Sequence, residues 1–340
     1  MIRLPMPWPR PSRPDAAPPT DGIPHIHLID TAIASENIGD EIIVDAARRH
    51  LAPILADCRV SSSSGHDGLG PAGRKLVASA QLVLLLGTNA LASRYKVGRR
   101  FMWRVAPADV PLLAGKVVLF GVGANTPFDR VEGAQKAFLS RVLSPAYRHS
   151  VRDGRAQTIV EAAGHVALDT SCPTLWDCAD GRYRPPARKT DTVCFTLTEH
   201  KPDPSDCLLI EILSEAYRRV VFFPQQARDL RYLREITDRT QIEILAPNLA
   251  AYDRFLSQTE TDVVGTRLHG TIRGVQHGRR ALVVQIDNRA EDIGKETGLP
   301  TISRNALPKL SEWIHGASEA QLRLPQEQIA AFLQQFPPAR

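Results

Sequence analysis

Asp262-Val263-Val264-Gly265-Thr266-Arg267-Leu268-His269-Gly270-Thr271-Ile272-Arg273 reads as strand, turn and helix in quick succession. A short apolar run ends at Gly265, and a helix begins within a few residues. Arg267 and His269 therefore fall at a strand's carboxyl end and a helix's amino end, where free N–H groups favour anions. Two residues apart in extended backbone, their side chains point the same way. A guanidinium beside a protonatable imidazole suits a carboxylate or phosphate. A surface Arg with a capping His fits the spacing equally well.

The same alternation runs on both sides of this element. Strand-sized runs at 25–30, 57–62, 82–87 and 116–121 are separated by amphipathic stretches, clearest at 40–51 and 131–143, and a shorter strand at 148–151 leads into a helix near 154–163. Periodicity lapses over 169–190, where Pro, Asp and Arg gather as in a linker. Strands are then expected at 192–197, 219–223, 241–245, 262–265 and 281–286. Helices are expected at 206–217, 227–237, 248–257, 268–276 and 325–335. This predicts an α/β protein: a Pro-rich leader over 1–24, Rossmann-like domains over 25–170 and 191–340, and a linker over 171–190. Two doubly wound parallel sheets would face a central cleft, with the ligand outside the strands' carboxyl ends.

At 340 residues, two domains are the natural division. Eight of the 26 prolines lie in residues 1–24, too many for helix or central strand, so that segment is expected to be disordered. The N-terminus shows no apolar signal region, and no apolar run reaches the roughly 18 residues a membrane span needs. A cytoplasmic protein, or one peripheral to the cytoplasmic face of the membrane, is expected. The five cysteines, Cys58, Cys172, Cys178, Cys194 and Cys207, include no C-x-x-C pair, which argues against a disulfide framework or zinc ribbon. Net charge is 42 − 37 = +5, and no basic cluster with interleaved aromatics points to nucleic acid.

Gly68-x-Gly70-x-x-Gly73 matches a dinucleotide fingerprint only nominally: it contains Pro71, follows the second strand and has no acidic residue about 20 positions on. A flexible surface loop is expected there. His25 and His27 share a strand face but lack a third ligand of suitable spacing, so no metal site is expected. No G-x-S-x-G elbow is present. Asn37-Ile38-Gly39-Asp40-Glu41 lies between the first strand and its helix; Asp40 and Glu41 suit capping, and Asp40 could instead activate a hydroxyl. Ser150-Val151-Arg152-Asp153 places an Arg and an acid at another strand end, where a plain ion pair is the competing account.

In this order, Asn37-x-Gly39-Asp40-Glu41, Val151-Arg152-Asp153, Phe223-Pro224-Gln225-Gln226 with Asp229, and Arg267-Leu268-His269-Gly270 resemble the polysaccharide pyruvyl transferase family. Gly298-Leu299-Pro300 looks similar too, and Arg289 stands where the family usually carries Lys. The resemblance covers about residues 25–305. It implies a GT-B-like pair of Rossmann-type domains, the first on the acceptor side and the second on the donor side. It also implies phosphoenolpyruvate as co-substrate, no cofactor, and a pyruvate ketal formed on a sugar diol of a cell-surface glycan or its precursor, free or lipid-linked. Arg267, His269 and Arg152 would contact the donor, and Leu268, Asn37, Gly39, Gln226 and Arg289 would complete the substrate site. Two positions depart from the pattern. Cys172-Pro173 stands where the family has Asp-Pro, and a Gly-rich loop is reduced to Gly87-Thr88-Asn89.

Guanidinium groups can neutralise the carboxylate and phosphate of such a donor, with His269 as acid and Asp40 as base or hydroxyl-orienting group. The fold also suits a GT-B glycosyltransferase or sugar-nucleotide epimerase, and a non-catalytic anion-binding module shares the same pocket. Phosphate release from phosphoenolpyruvate separates these classes.

Overall fold

The computed structural model describes residues 22–96, 103–124, 128–179, 181–238, 240–318 and 320–336. The leader expected over 1–24 lies outside them except for its last three residues. The chain forms two compact units. Unit 1 comprises residues 1–34, 50–169 and 328–340, and unit 2 comprises 35–49 and 170–327.

Through residue 169 the elements are β1 (His25–Asp30), α1 (Ile38–Leu55), β2 (Arg59–Ser64), α2 (Pro71–Ser79), β3 (Leu82–Leu86), α3 (Val110–Leu113), β4 (Val117–Phe120), α4 (Gly133–Val142), β5 (His149–Val151), α5 (Gly154–Ala162) and β6 (Ala167–Asp169). Unit 1 is built on a parallel sheet in the order β2-β1-β3-β4, with β5 and β6 paired beside it. β3 and β4 are apolar and wholly buried, as a strand covered on both faces requires. β2 is a half-exposed serine-rich edge. Its hydroxyls satisfy the strand histidines: His25 Nε2 and His27 Nδ1 each lie 2.8 Å from Ser61 Oγ, and His27 Nε2 lies 2.9 Å from Ser63 Oγ.

The remaining elements are β7 (Thr192–Thr196), α6 (Ser205–Ala216), β8 (Arg219–Phe222), α7 (Ala227–Ile236), β9 (Glu243–Ile244), α8 (Leu249–Gln258), β10 (Asp262–Gly265), α9 (Leu268–Gln276), β11 (Ala281–Gln285), α10 (Asn288–Thr297), β12 (Thr301–Ser303), α11 (Leu310–His315) and α12 (Gln326–Leu333). Six parallel strands of unit 2 run β12-β11-β10-β7-β8-β9. This is the doubly wound Rossmann order, whose direction reverses between β7 and β10. The expected α/β class of two parallel-sheet, Rossmann-type units is what the chain adopts.

Several expected boundaries differ. The flexible loop read at Gly68–Gly73 ends at Gly70, because Pro71 opens α2 at a first-turn position that needs no N–H donor. The expected linker 171–190 is not a free connection: Pro173–Cys178 is a 3-10 helix with Thr174, Leu175 and Trp176 buried, and Cys172 and Leu175 join the core of unit 2. Residues 35–49 group with unit 2. Ile38 and Ile42 enter its core, and Asp45 takes a 2.8 Å ion pair from Arg273 of α9. Residues 328–340 group with unit 1, where Phe332 packs edge-on against Phe120. Periodicity marks a helix's buried face but not the sheet that covers it.

Candidate active site

The reversal between β7 and β10 is where a doubly wound sheet opens a crevice at its carboxyl edge, and Arg267 stands there. Gly265 lets β10 approach β7 so closely that a Cβ would collide with Thr196. Thr196 Oγ1 then accepts a hydrogen bond from Arg267 N at 3.2 Å. The Arg267 side chain is only 6% exposed and is fixed on several sides. Its Nε donates to Asp229 Oδ2 at 3.0 Å and to Leu197 O at 3.1 Å. Its Nη2 donates to Asp229 Oδ1 and, at 2.9 Å, to Gln226 Oε1. Asp229 is wholly buried and also accepts from Gln226 N, closing a capping box at the start of α7. The Arg267 charge is thus already matched by a carboxylate.

Leu268 opens α9 and packs into the core of unit 2. His269 follows, buried, with Nε2 at 3.8 Å from Cys172 Sγ, which itself lies 3.0 Å from Thr174 Oγ1. The cysteine that departs from the Asp-Pro pattern therefore sits against the imidazole.

Gln225, part of the Phe223–Gln226 stretch but not, like Gln226, among the expected site residues, links this element to the start of α1. Gln225 Nε2 donates to Asn37 Oδ1 at 2.8 Å, and Gln225 O accepts from Ile38 N at 3.1 Å. Asn37 Oδ1 also accepts from Gly39 N at 3.1 Å. A Cβ at Gly39 would lie 2.6 Å from Gln225 Nε2, and one at Gly270 would lie 2.5 Å from Gln225 Oε1. Both glycines are needed for the amide to pass between them. Gln225 Oε1 is buried with no partner among the described residues. Asp40, 8% exposed, accepts from Ser35 Oγ at 2.6 Å. Asn37, Gly39, Asp40, Gln226, Arg267, Leu268 and His269 thus belong to one neighbourhood. The glycines either side of Gln225 were the available signal for it.

Arg289 is folded back on the N-cap of its own helix, donating to Asp287 Oδ2 at 2.7 Å through Nη2 and 3.1 Å through Nε. Arg152 belongs to unit 1, immediately after β5, and is 3% exposed. Its Nη2 donates to Asn89 Oδ1, while its Nη1 is buried with no partner among the described residues. A Cβ at Gly123 would collide with Arg152 Nε and lie 2.8 Å from Asn89 Oδ1 and Asp153 Oδ2. Asp153 is committed to the backbone, accepting from Ala156 N at 2.8 Å as the cap of α5 and from Ala124 N at 3.1 Å. Gly87 and Thr88 both adopt positive φ, 57° each, where a threonine is strained. That turn delivers Asn89 to Arg152.

Among the described residues, no three His, Cys, Asp or Glu side chains gather as a metal-binding group. No helix among them is long and apolar enough to cross a membrane.

Both units are parallel α/β sheets of Rossmann type, each with a nearly buried arginine just beyond a strand's carboxyl end. A family model described as polysaccharide pyruvyl transferase matches residues 37–288, and the chain belongs to that family. It is a transferase that acts by pyruvyl transfer on polysaccharide. Neither a curated protein nor a solved structure matches the chain.

Proposed function

We propose that this enzyme moves the enolpyruvyl group of phosphoenolpyruvate onto a sugar diol of a cell-surface glycan or its precursor, on the cytoplasmic side. The products are a pyruvate ketal and phosphate. The observation that carries the reading is the Arg267-Leu268-His269 element at the strand reversal of unit 2, within a chain of this family. His269 protonates the donor's methylene carbon, which leaves an oxocarbenium-like centre at C2. One sugar hydroxyl attacks C2, the C2–O bond to phosphate breaks, and the second hydroxyl closes the ketal. Of the two hydroxyl protons released, one is balanced by the proton placed on carbon and the other leaves with phosphate.

Asp40 orients or deprotonates a hydroxyl. Arg267, Arg152 and Arg289 bind anionic oxygens, with Asn37, Gly39, Gln226 and Leu268 shaping the substrate site. Each proton transfer and each charge is assigned to a side chain, so turnover is expected to survive chelation.

The test is phosphate release from phosphoenolpyruvate with a panel of diol-bearing glycans, free and lipid-linked, together with a mass gain on the acceptor. Consumption of a nucleotide sugar instead would establish the glycosyltransferase reading. His269→Gln keeps the shape but removes the proton donor, and is expected to lower kcat about 100-fold while donor affinity falls less.

A further inference from the structure

The turn after β7 faces the same strand reversal as Arg267, and nothing above uses its central residue, His200. The turn is tied down at every corner. Lys201 N donates to Thr198 O at 3.1 Å, and Thr198 Oγ1 lies 2.8 Å from Thr266 Oγ1 at the end of β10. Glu199 N donates to Asp229 Oδ1 at 3.2 Å. Lys201 Nζ lies 3.5 Å from Asp287 Oδ2, and Arg304 Nη1 donates to Lys201 O at 3.2 Å. His200 between these anchors is exposed to solvent.

The charges acting on its imidazole come from several elements. Arg267 follows β10, Asp229 and Arg289 stand in the first turns of α7 and α10, and Lys201 is its neighbour in the turn. Three cations thus act against a single anion. Asp229 is already taken by Arg267, and Asp287 is shared between Arg289 and Lys201.

We infer that His200 is a further donor-binding residue, giving a hydrogen bond to an oxygen of a small phosphate- or carboxylate-bearing anion at the carboxyl edge of β7, β10 and β11. This rests on the pyruvyl-transfer reading and adds to it a residue and a proton. Partial desolvation by the turn, followed by the charges of Arg267 and Arg289, holds the free imidazole below the usual histidine pKa, with Asp229 opposing. That shift favours the neutral imidazole in the free enzyme. A bound dianion reverses the sign of the local field, so the imidazole takes up a proton as the donor enters. Titration of the donor itself is common to wild type and variant, so their ratio isolates His200.

The experiment follows the His200 imidazole of the full chain by NMR, assigned with His200→Gln, and titrates pH with inorganic phosphate, phosphoenolpyruvate or potassium chloride at equal ionic strength. The midpoint is expected to move up with phosphate and with phosphoenolpyruvate but not with chloride. In parallel calorimetry, His200→Gln should weaken phosphoenolpyruvate binding about tenfold near pH 6, as loss of a charge-assisted hydrogen bond does, and by less near pH 8. If the wild type binds phosphoenolpyruvate while the midpoint stays put and His200→Gln binds equally well, the inference is overturned and the donor reading stands. If the wild type does not bind phosphoenolpyruvate at all, the donor reading falls and this inference with it.

Discussion

Arg152 in unit 1 and Arg267 in unit 2 occupy equivalent places: each follows a short parallel strand within two residues and leads into a helix. Both are nearly buried, at 3% and 5% exposure. Their surroundings differ in one respect that changes their chemistry. Arg267 is held by the carboxylate of Asp229 and the amide oxygen of Gln226. Arg152 is held by the amide oxygen of Asn89, and its Nη1 has no partner among the described residues. A carboxylate cancels the guanidinium charge, whereas an amide oxygen orients it and leaves the charge available to a ligand. On the proposed pyruvyl transfer, the grip on the donor's anionic oxygens therefore falls more on Arg152 than on Arg267, whose charge Asp229 offsets.

The sharpest way to break this contrast is to remove each guanidinium. Arg267→Ala leaves Asp229 buried without its counter-ion and is expected to destabilise unit 2 by about 3–5 kcal/mol in chemical denaturation. Arg267→Met with Asp229→Asn, which removes both charges yet keeps an oxygen to accept from a backbone N–H at that position, should recover part of that loss, and a double variant as unstable as the single one would show that the ion pair is not the cause. Arg152→Ala should behave oppositely. Stability is expected to stay level or rise slightly, since a buried cation is removed, while phosphoenolpyruvate affinity falls about 100-fold. A large drop in Tm with unchanged affinity would assign Arg152 to structure.

Gly39→Ala sharpens the comparison on the unit 2 side. Its methyl group meets Gln225 at 2.6 Å, so a stability loss of about 1–3 kcal/mol is expected, with rescue by Gln225→Ala. Failure of that rescue would place the strain elsewhere.

The smallest effect concerns acid. Unit 1 holds two imidazoles at about 4: His27, by burial and then the charge of His25, and His149, by burial and then His165. His149 is built as the neutral form, since Leu119 N donates to its Nδ1 at 3.3 Å and its Nε2 faces Ser144 O at 3.2 Å. The unfolded chain accepts protons near pH 6.5 that these folded sites refuse. Their contribution to stability is complete above that pH and is lost as pH falls toward 4, at up to about 1.4 kcal/mol per pH unit for each. Hydrogen exchange should show β1 and β4 losing protection before β7 and β10 as the solution is acidified. Equal loss in both units would remove these histidines as the cause.

Much of the fold was legible in the chain because it depends on local chemistry. Asp262–Gly265 and Leu268–Gln276 form as the apolar pattern and the intervening turn prescribe, and Leu82–Leu86 reads as a buried strand from its composition. Less was legible where local signals are weak. The helix at 288–297 holds too few apolar residues to set a period, and the six-residue helix at 310–315 and the three-residue strands at 167–169 and 301–303 are too short for one. Within the site, Asn37, Gly39, Arg267 and His269 could be singled out by residue type and position at strand ends.

The roles of those residues were decided by approaches between distant parts of the chain. The partner of Arg267 is 38 residues away, and Gln225 reaches Asn37 across 188. The allegiance of residues 35–49 to unit 2 follows from Ile38, Ile42 and the Asp45–Arg273 pair, none of which a helical period can reveal. A periodic pattern states which face of an element must leave water. Whether a buried guanidinium meets a carboxylate or an amide depends on which loops the sheet order brings together, and that is settled only when the strands have paired.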